Sequence, residues 1–188
     1  MSYCAFVQSL PPDNVHRRYH DHAYGFPIRD DDGLFERLIL EINQAGLSWE
    51  TILRKAERFH QAYDGFRVDV VAGYGEAERQ RLLLDAGIIR NRLKIDAAIE
   101  NARRIQALRA THGSFGAWLD QHHPLQLPAW VAVFKLTFRF VGTEICKEFL
   151  MSSGYLPGAH DPDCPIHAQI VALDPPWWRS RSFFAVQA

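Results

Sequence analysis

The sequence predicts an all-α domain, and three observations carry that prediction. Apolar residues recur at spacings of three and four along most of the 188 positions, the stripe of an amphipathic helix. Alternating apolar and polar positions never persist over a useful strand length. The periodic runs open at Ser, Asn or Asp caps and close at Gly or Pro. The length suits one domain spanning 1–188. A hydrophobic content of 47% and a charged content of 23% are ordinary for a globular chain. Formal net charge is −1, so a nucleic-acid partner would need a local basic surface. No secretory signal pattern and no apolar run near about 18 residues occurs, which predicts a cytoplasmic protein with no membrane partner. Three cysteines argue against a disulfide framework and for thiols, metal ligands or core packing.

Met1 to Pro12 is short and mixed, and Asp13 to Gly25 reads as a short helix or turn followed by loop. The organising element is Gly33 to Trp49, GLFERLILEINQAGLSW, where Leu34, Phe35, Leu38, Ile39 and Ile42 form one helical face. Asp30-Asp31-Asp32 before it suits the cap and the positive end of the helix dipole. Gly46 reads as the stop, and Ser48 as the cap of a helix carrying Ile52, Leu53, Ala56 and Phe59. Asp64-Gly65 is a turn signal, and Val68 to Ala72 is predicted as a short helix.

Glu76 to Ala86 and Asn91 to Arg109 are predicted as helices joined by a tight turn, with Gly87 in a left-handed conformation. Such a helix-hairpin-helix points backbone N–H groups at a phosphate, and Arg90, Arg92 and Lys94 add positive charge there. The bland alternative is an ordinary αα-corner with a solvated basic edge. Ser114 caps a short helix through Trp118, and His122 to Pro128 is a loop. Trp130 to Phe138 and Thr143 to Ser152 are helices, with Cys146 a small core residue. Gly154 to Pro165 is loop, and the tail ends PPWWRSRSFFAVQA. Its cluster of Trp177, Trp178, Phe183 and Phe184 is too large to leave in water, so it is expected to pack on the domain or form a subunit contact.

Two features carry chemistry. Glu41 sits seven after Leu34 and three after Leu38, on the apolar stripe. An ionised carboxylate there is costly unless it is paired or lines a cavity. It is either an edge residue that reaches water or a catalytic or base-reading acid. Cys4, His20, His160 and Cys164 form a Cys₂His₂ set, and His-x₃-Cys in a Gly/Pro loop lets two ligands reach one ion. Four such ligands match a closed, tetrahedral, structural Zn²⁺ site that ties segments 1–27 and 154–166 together, leaving 167–188 as the C-terminal tail.

Cys4, Tyr19-His20-Asp21 with Gly25, LFERLILEINQAGLSW, DAGIIRNRLKI, FRFVGTEIC and His160/Cys164 together span nearly the whole chain. On these segments the chain resembles the DNA-3-methyladenine glycosylase I family, the constitutive bacterial alkylation-repair enzymes of the helix-hairpin-helix superfamily. The resemblance implies a monofunctional DNA glycosylase that flips an alkylated purine, 3-methyladenine above all, out of double-stranded DNA and hydrolyses its N-glycosidic bond. It implies one structural Zn²⁺ per chain on Cys4, His20, His160 and Cys164. It implies Glu41 as the pocket glutamate, Tyr19 and Trp49 as pocket aromatics, and Gly87, Arg90, Arg92 and Lys94 as the DNA-binding hairpin. Phe6, His16 and Tyr24 complete the base-binding set, standing where the family usually has Trp, Tyr and Trp. The expected state is a monomer. The alternative is a non-catalytic, zinc-stabilised DNA-binding module on the same scaffold.

Overall fold

The structure is a computed structural model that describes residues 2–185. It is all-helical, with no strand among the described residues. In chain order the elements are α1 Tyr3–Gln8, α2 Val15–His22, α3 Asp31–Gln44, α4 Trp49–Ala62, α5 Val68–Ala72, α6 Glu76–Leu84 and α7 Arg92–His112. There follow α8 Phe115–His122, α9 Leu127–Thr137, α10 Thr143–Ser152, α11 Pro165–Ala172, α12 Pro176–Arg179 and α13 Arg181–Ala185. Asp64–Phe66 is a single 3₁₀ turn, with Gly65 at φ +71°.

Helix α3 is the axle. Leu34, Phe35, Leu38, Ile39 and Ile42 are fully buried, and α4, α7, α8 and α10 pack around them. From α7 come Ile95, Ala98, Ile99, Ala102 and Ile105, and from α10 come Cys146, Phe149 and Leu150. One end of the core is aromatic, with Phe115, Trp118, Phe134, Phe138 and Phe149 in mutual edge and face contact.

The acidic run at the start of α3 supports the first turns of three helices, not one. Asp30 accepts from the Gly33 N–H at 2.7 Å and caps α3. Asp31 accepts from Phe115 N–H at 2.9 Å and Gly116 N–H at 3.3 Å, which satisfies the start of α8. Asp32 accepts from Val68 N–H at 2.9 Å, the first residue of α5. Arg109 of α7 bridges Asp31 at 2.7 Å and Asp32 at 3.4 Å and neutralises the run. Gly46 has φ +82° and stops the chain after α3, and Ser48 caps α4 by accepting from Thr51 N–H at 3.2 Å.

Two expectations, on Gly87 and Lys94, are corrected, and the form of the tail is settled. Gly87 is not left-handed; Asp85 folds the turn by accepting from the Gly87 N–H at 2.7 Å, and a Cβ at Gly87 would lie 2.9 Å from that same Asp85 oxygen. Lys94 does not face outward. It is 5% exposed, and its Nζ donates to the Asn43 carbonyl at 2.9 Å and the Ala45 carbonyl at 2.7 Å, closing the C-terminus of α3. The tail is helical: α11 and α12 each open with Pro at the first turn, where a missing N–H costs nothing. It lies back on the domain, since Trp177 N–H donates to Gly154 O at 3.1 Å, His123 Nε2–H donates to Pro176 O at 2.9 Å, and the Phe184 ring lies tilted 6.0 Å from that of His123.

Candidate functional site

Two N-terminal helices bring the site together: α1, in a segment with no sequence period, and α2, where a short helix or turn was expected. Ser2 caps α1 and Asn14 caps α2. α1 then delivers Cys4 and Tyr3, and α2 delivers His16, Tyr19 and His20 on successive turns.

Cys4, His20, His160 and Cys164 are all buried, and their ligand atoms lie within 4.8 Å of one another. His20 Nε2 is 3.1 Å from His160 Nδ1 and 3.3 Å from Cys4 Sγ. Cys164 Sγ is 3.8 Å from His20 Nε2 and 3.7 Å from His160 Nδ1. Tetrahedral bonds of about 2.0–2.3 Å give ligand–ligand edges of roughly 3.3–3.8 Å, so one ion fits at the centre. The other ring nitrogens are fixed: His20 Nδ1 by Asp21 Oδ1 at 2.7 Å, and His160 Nε2 by the Tyr24 carbonyl at 2.8 Å. Oriented imidazoles of this kind are typical of metal ligands. Asp161 N–H donates to Cys4 Sγ at 3.3 Å. Burial, and then the neighbouring Cys164, push the Cys4 thiol up to about 11, so a cation at the centre is what would hold it as thiolate. Four protein ligands around one ion would leave no open position, the pattern of structural sites.

Beside this closure lies a cavity of about 420 Å³, walled by Tyr3, His16, Tyr19, Tyr24 and Trp49, with Glu41, Gln44, Glu144 and Glu148 as its polar groups. Tyr19 sits at the centre of the aromatic wall. Its ring lies 5.2 Å from Trp49 and 5.5 Å from Tyr24, and Arg37 both donates to its hydroxyl at 2.8 Å and stacks 5.1 Å over its ring. Glu41 is 3% exposed, and among the described residues no donor reaches its carboxylate. Burial pushes its pKa up to about 8; Arg37 opposes that shift and Glu148 adds to it. Burial therefore favours the neutral form of Glu41, and a positive charge placed in the cavity would favour the ionised one.

Of the sequence-expected pocket residues, Glu41, Tyr19, Trp49, His16 and Tyr24 line the cavity. Phe6 does not; it is 38% exposed and packs behind the wall against Tyr3 at 6.3 Å and His16 at 5.3 Å. Sequence reasoning missed Tyr3, whose hydroxyl lies 3.1 Å from His16 Nδ1, and it missed Glu144 and Glu148. The acids carried a signal: they stand four apart on α10, on one face of the helix.

The α6–α7 turn sits apart from the cavity. Asp85 and Lys55 engage the backbone of Gly87, and among the described residues the N–H groups of Ile89 and Arg90 meet no acceptor. Arg90 is exposed, and Arg92 is held only loosely, 3.9 Å from Glu76 and from Asp96. A wider groove of about 730 Å³ runs alongside α7 past Arg79, Arg103 and Arg139. Arg79 is engaged by Asp96 at 2.6 Å and Arg103 by the Ala72 carbonyl at 2.9 Å, and no buried acid floors the groove.

An all-helical domain with an aromatic cavity over a buried carboxylate falls in the class of helical DNA-repair glycosylases. The methyladenine glycosylase family model matches residues 9–128, and the chain belongs to that family. It is 35% identical to DNA-3-methyladenine glycosylase 1 of Escherichia coli, over 82% of this chain and 91% of the relative. A solved 3-methyladenine DNA glycosylase I from Staphylococcus aureus superposes with a TM-score of 0.74 at 29% identity, covering 87% of this chain and 95% of that one. A Tyr-to-Phe variant of a 3-methyladenine DNA glycosylase I, solved in complex with 3-methyladenine, superposes with a TM-score of 0.75 at 29% identity, covering 88% and 97%.

Proposed function

We propose that this chain is a monofunctional glycosylase that excises N3-alkylated purines, 3-methyladenine foremost, from double-stranded DNA. The observation that carries the reading is Glu41: a buried carboxylate with no internal partner, opening onto an aromatic-walled cavity. A purine alkylated on N3 supplies what that site lacks. It is flat, it stacks on Tyr19 and Trp49, and it is cationic. Its charge restores the ionised form of Glu41, and its amino group donates to the carboxylate.

The chemistry asks little more. When the C1′–N bond breaks, the electron pair passes to the purine ring and quenches its positive charge, so the base leaves without full general-acid help. The sugar becomes oxocarbenium-like, and a carboxylate nearby favours that charge. Water adds to C1′ and gives up a proton.

The α6–α7 pair is read as the family's helix-hairpin-helix, with Gly87 shaping the turn and the Ile89 and Arg90 N–H groups, Arg90 and Arg92 meeting phosphates. Cys4, His20, His160 and Cys164 are assigned one structural Zn²⁺. The chain is taken to act as a monomer in the cytoplasm; among the described residues no helix is long and apolar enough to cross a membrane.

The test is release of free 3-methyladenine from methylated duplex DNA, read by chromatography. Release supports the enzyme. Tight binding of methylated duplex without release identifies the non-catalytic module instead.

A further inference from the structure

The cavity holds more acid than one base-reading carboxylate requires. Glu41 enters it from α3, and Glu148 and Glu144 enter it from α10. Glu148 is the organised one. The hydroxyl of buried Tyr24 donates to its Oε2 at 3.1 Å, and among the described residues no donor reaches Oε1. Tyr24 stands where the resemblance leads one to expect Trp, so this phenol-to-carboxylate tether belongs to this chain's own set of pocket residues. Gln44, three residues after Glu41, adds an amide to the same cavity.

We propose that Glu148 is a second base-reading carboxylate, and that it extends the substrate class to N7-alkylguanine. The inference rests on the glycosylase reading above and deepens it. Two acceptor carboxylates in a half-closed site call for a base with several donors. The Watson–Crick edge of adenine offers one donor group, its exocyclic amine. Guanine offers its ring N–H and its 2-amino group side by side, a pair that one carboxylate accepts together. It also presents O6, an acceptor that the amide N–H of Gln44 matches. A site built around hydrogen bonds discriminates against a base that leaves its polar groups unpaired. Alkylation at N7 makes guanine cationic, so it shares the activated leaving group and gains from a second negative charge in the wall. The Tyr24 tether fixes one carboxylate oxygen and leaves the other aimed for use, which lowers the ordering cost of binding.

Duplex DNA treated with a methylating agent carries both 3-methyladenine and 7-methylguanine, and one reaction reports both. The wild-type chain is expected to release both bases. Glu148→Gln keeps the size and an oxygen for Tyr24 but loses the charge. Its ratio of 7-methylguanine to 3-methyladenine release should fall tenfold or more, the scale of one charge-assisted hydrogen bond. Tyr24→Phe keeps the carboxylate and removes the tether, and should lower the same ratio by a smaller factor. Metal content and melting temperature of each variant check the fold. Release of 3-methyladenine without 7-methylguanine by the wild type, or an equal loss of both bases in Glu148→Gln, overturns the proposal. Calorimetry with the two free bases separates the levels of inference. If neither base is released, the glycosylase reading fails. Glu148 then stands only if Glu148→Gln weakens 7-methylguanine binding more than 3-methyladenine binding.

Discussion

Glu41 shows how one residue can be costly to the fold and necessary to the site. Its pKa is raised from an ordinary carboxylate value to about 8 by burial, so the folded state favours the neutral form. Its favourable contribution is therefore complete below the unfolded value near 4.5 and is lost as pH rises through about 8. Each pH unit in that window removes up to about 1.4 kcal/mol. Glu41→Gln cannot ionise, so its melting temperature should exceed that of the wild type at pH 8–9 by more than at pH 5; parallel curves would show that the carboxylate is not buried in solution. The same variant should lose base excision by about 10- to 100-fold, or roughly 1.4–2.8 kcal/mol, because the leaving group is already activated. Full single-turnover activity of Glu41→Gln on methylated DNA would remove its assigned role. Glu41 was legible in sequence because an acid on an apolar stripe contradicts its surroundings. Glu148 and Tyr3 were not, since α10 alternates acids with core residues as any surface helix does, and Tyr3 lies in a segment with no period of its own.

At the level of elements, the sequence showed the long helices and the short α5 and α8, and missed α1, α11 and α12. α3, α7 and α10 announce themselves through stripes and caps. α1, α11 and α12 run 6, 8 and 4 residues, too short to show a period, and the prolines of α11 and α12 look like breakers until their place at helix starts is known. The hairpin shows a second limit: a cation beside a turn looks the same in sequence whether it faces solvent or a carbonyl. Lys94 and Arg92 now separate cleanly. Arg92→Glu should weaken binding to every duplex alike and flatten its salt dependence, since phosphate contacts carry no sequence information. Lys94→Ala should leave the salt slope intact and destabilise the fold by about 1–3 kcal/mol, because the carbonyls of Asn43 and Ala45 lose their donor. Denaturant melts and binding titrations at several salt concentrations measure both. A changed salt slope in Lys94→Ala would return that lysine to the DNA face.

For the molecule as a whole, both ends of the chain fold onto the helical core, by different means. The C-terminal end closes by packing and hydrogen bonds: Trp177 N–H on Gly154, His123 on Pro176, Phe184 beside His123. Truncation after Pro175 should lower the melting temperature by several degrees, and an unchanged melt would show the contact to be idle.

The N-terminal end closes through the Cys₂His₂ cluster, and here the pocket depends on the closure. α1 is six residues long and cannot hold itself as a helix in water. Yet it supplies Tyr3 to the cavity wall, and α2 supplies His20 to the cluster and His16 and Tyr19 to the wall. His160 also donates from Nε2–H to the Tyr24 carbonyl, so the Cys₂His₂ cluster, α1, α2 and the tethered Tyr24 form one unit. The buried stripes of α3, α7 and α10 lie outside that unit and have their own core. Removing the metal should therefore not unfold the chain uniformly. A strong chelator, or Cys164→Ala, should expose residues 2–27 and 154–164 to proteolysis and abolish base binding, while far-UV circular dichroism keeps most of its helical signal. Adding Zn²⁺ back should restore protection and binding together to the chelated wild type. If elemental analysis finds no metal in folded, base-binding protein, the closure is made by the side chains alone and the zinc assignment fails.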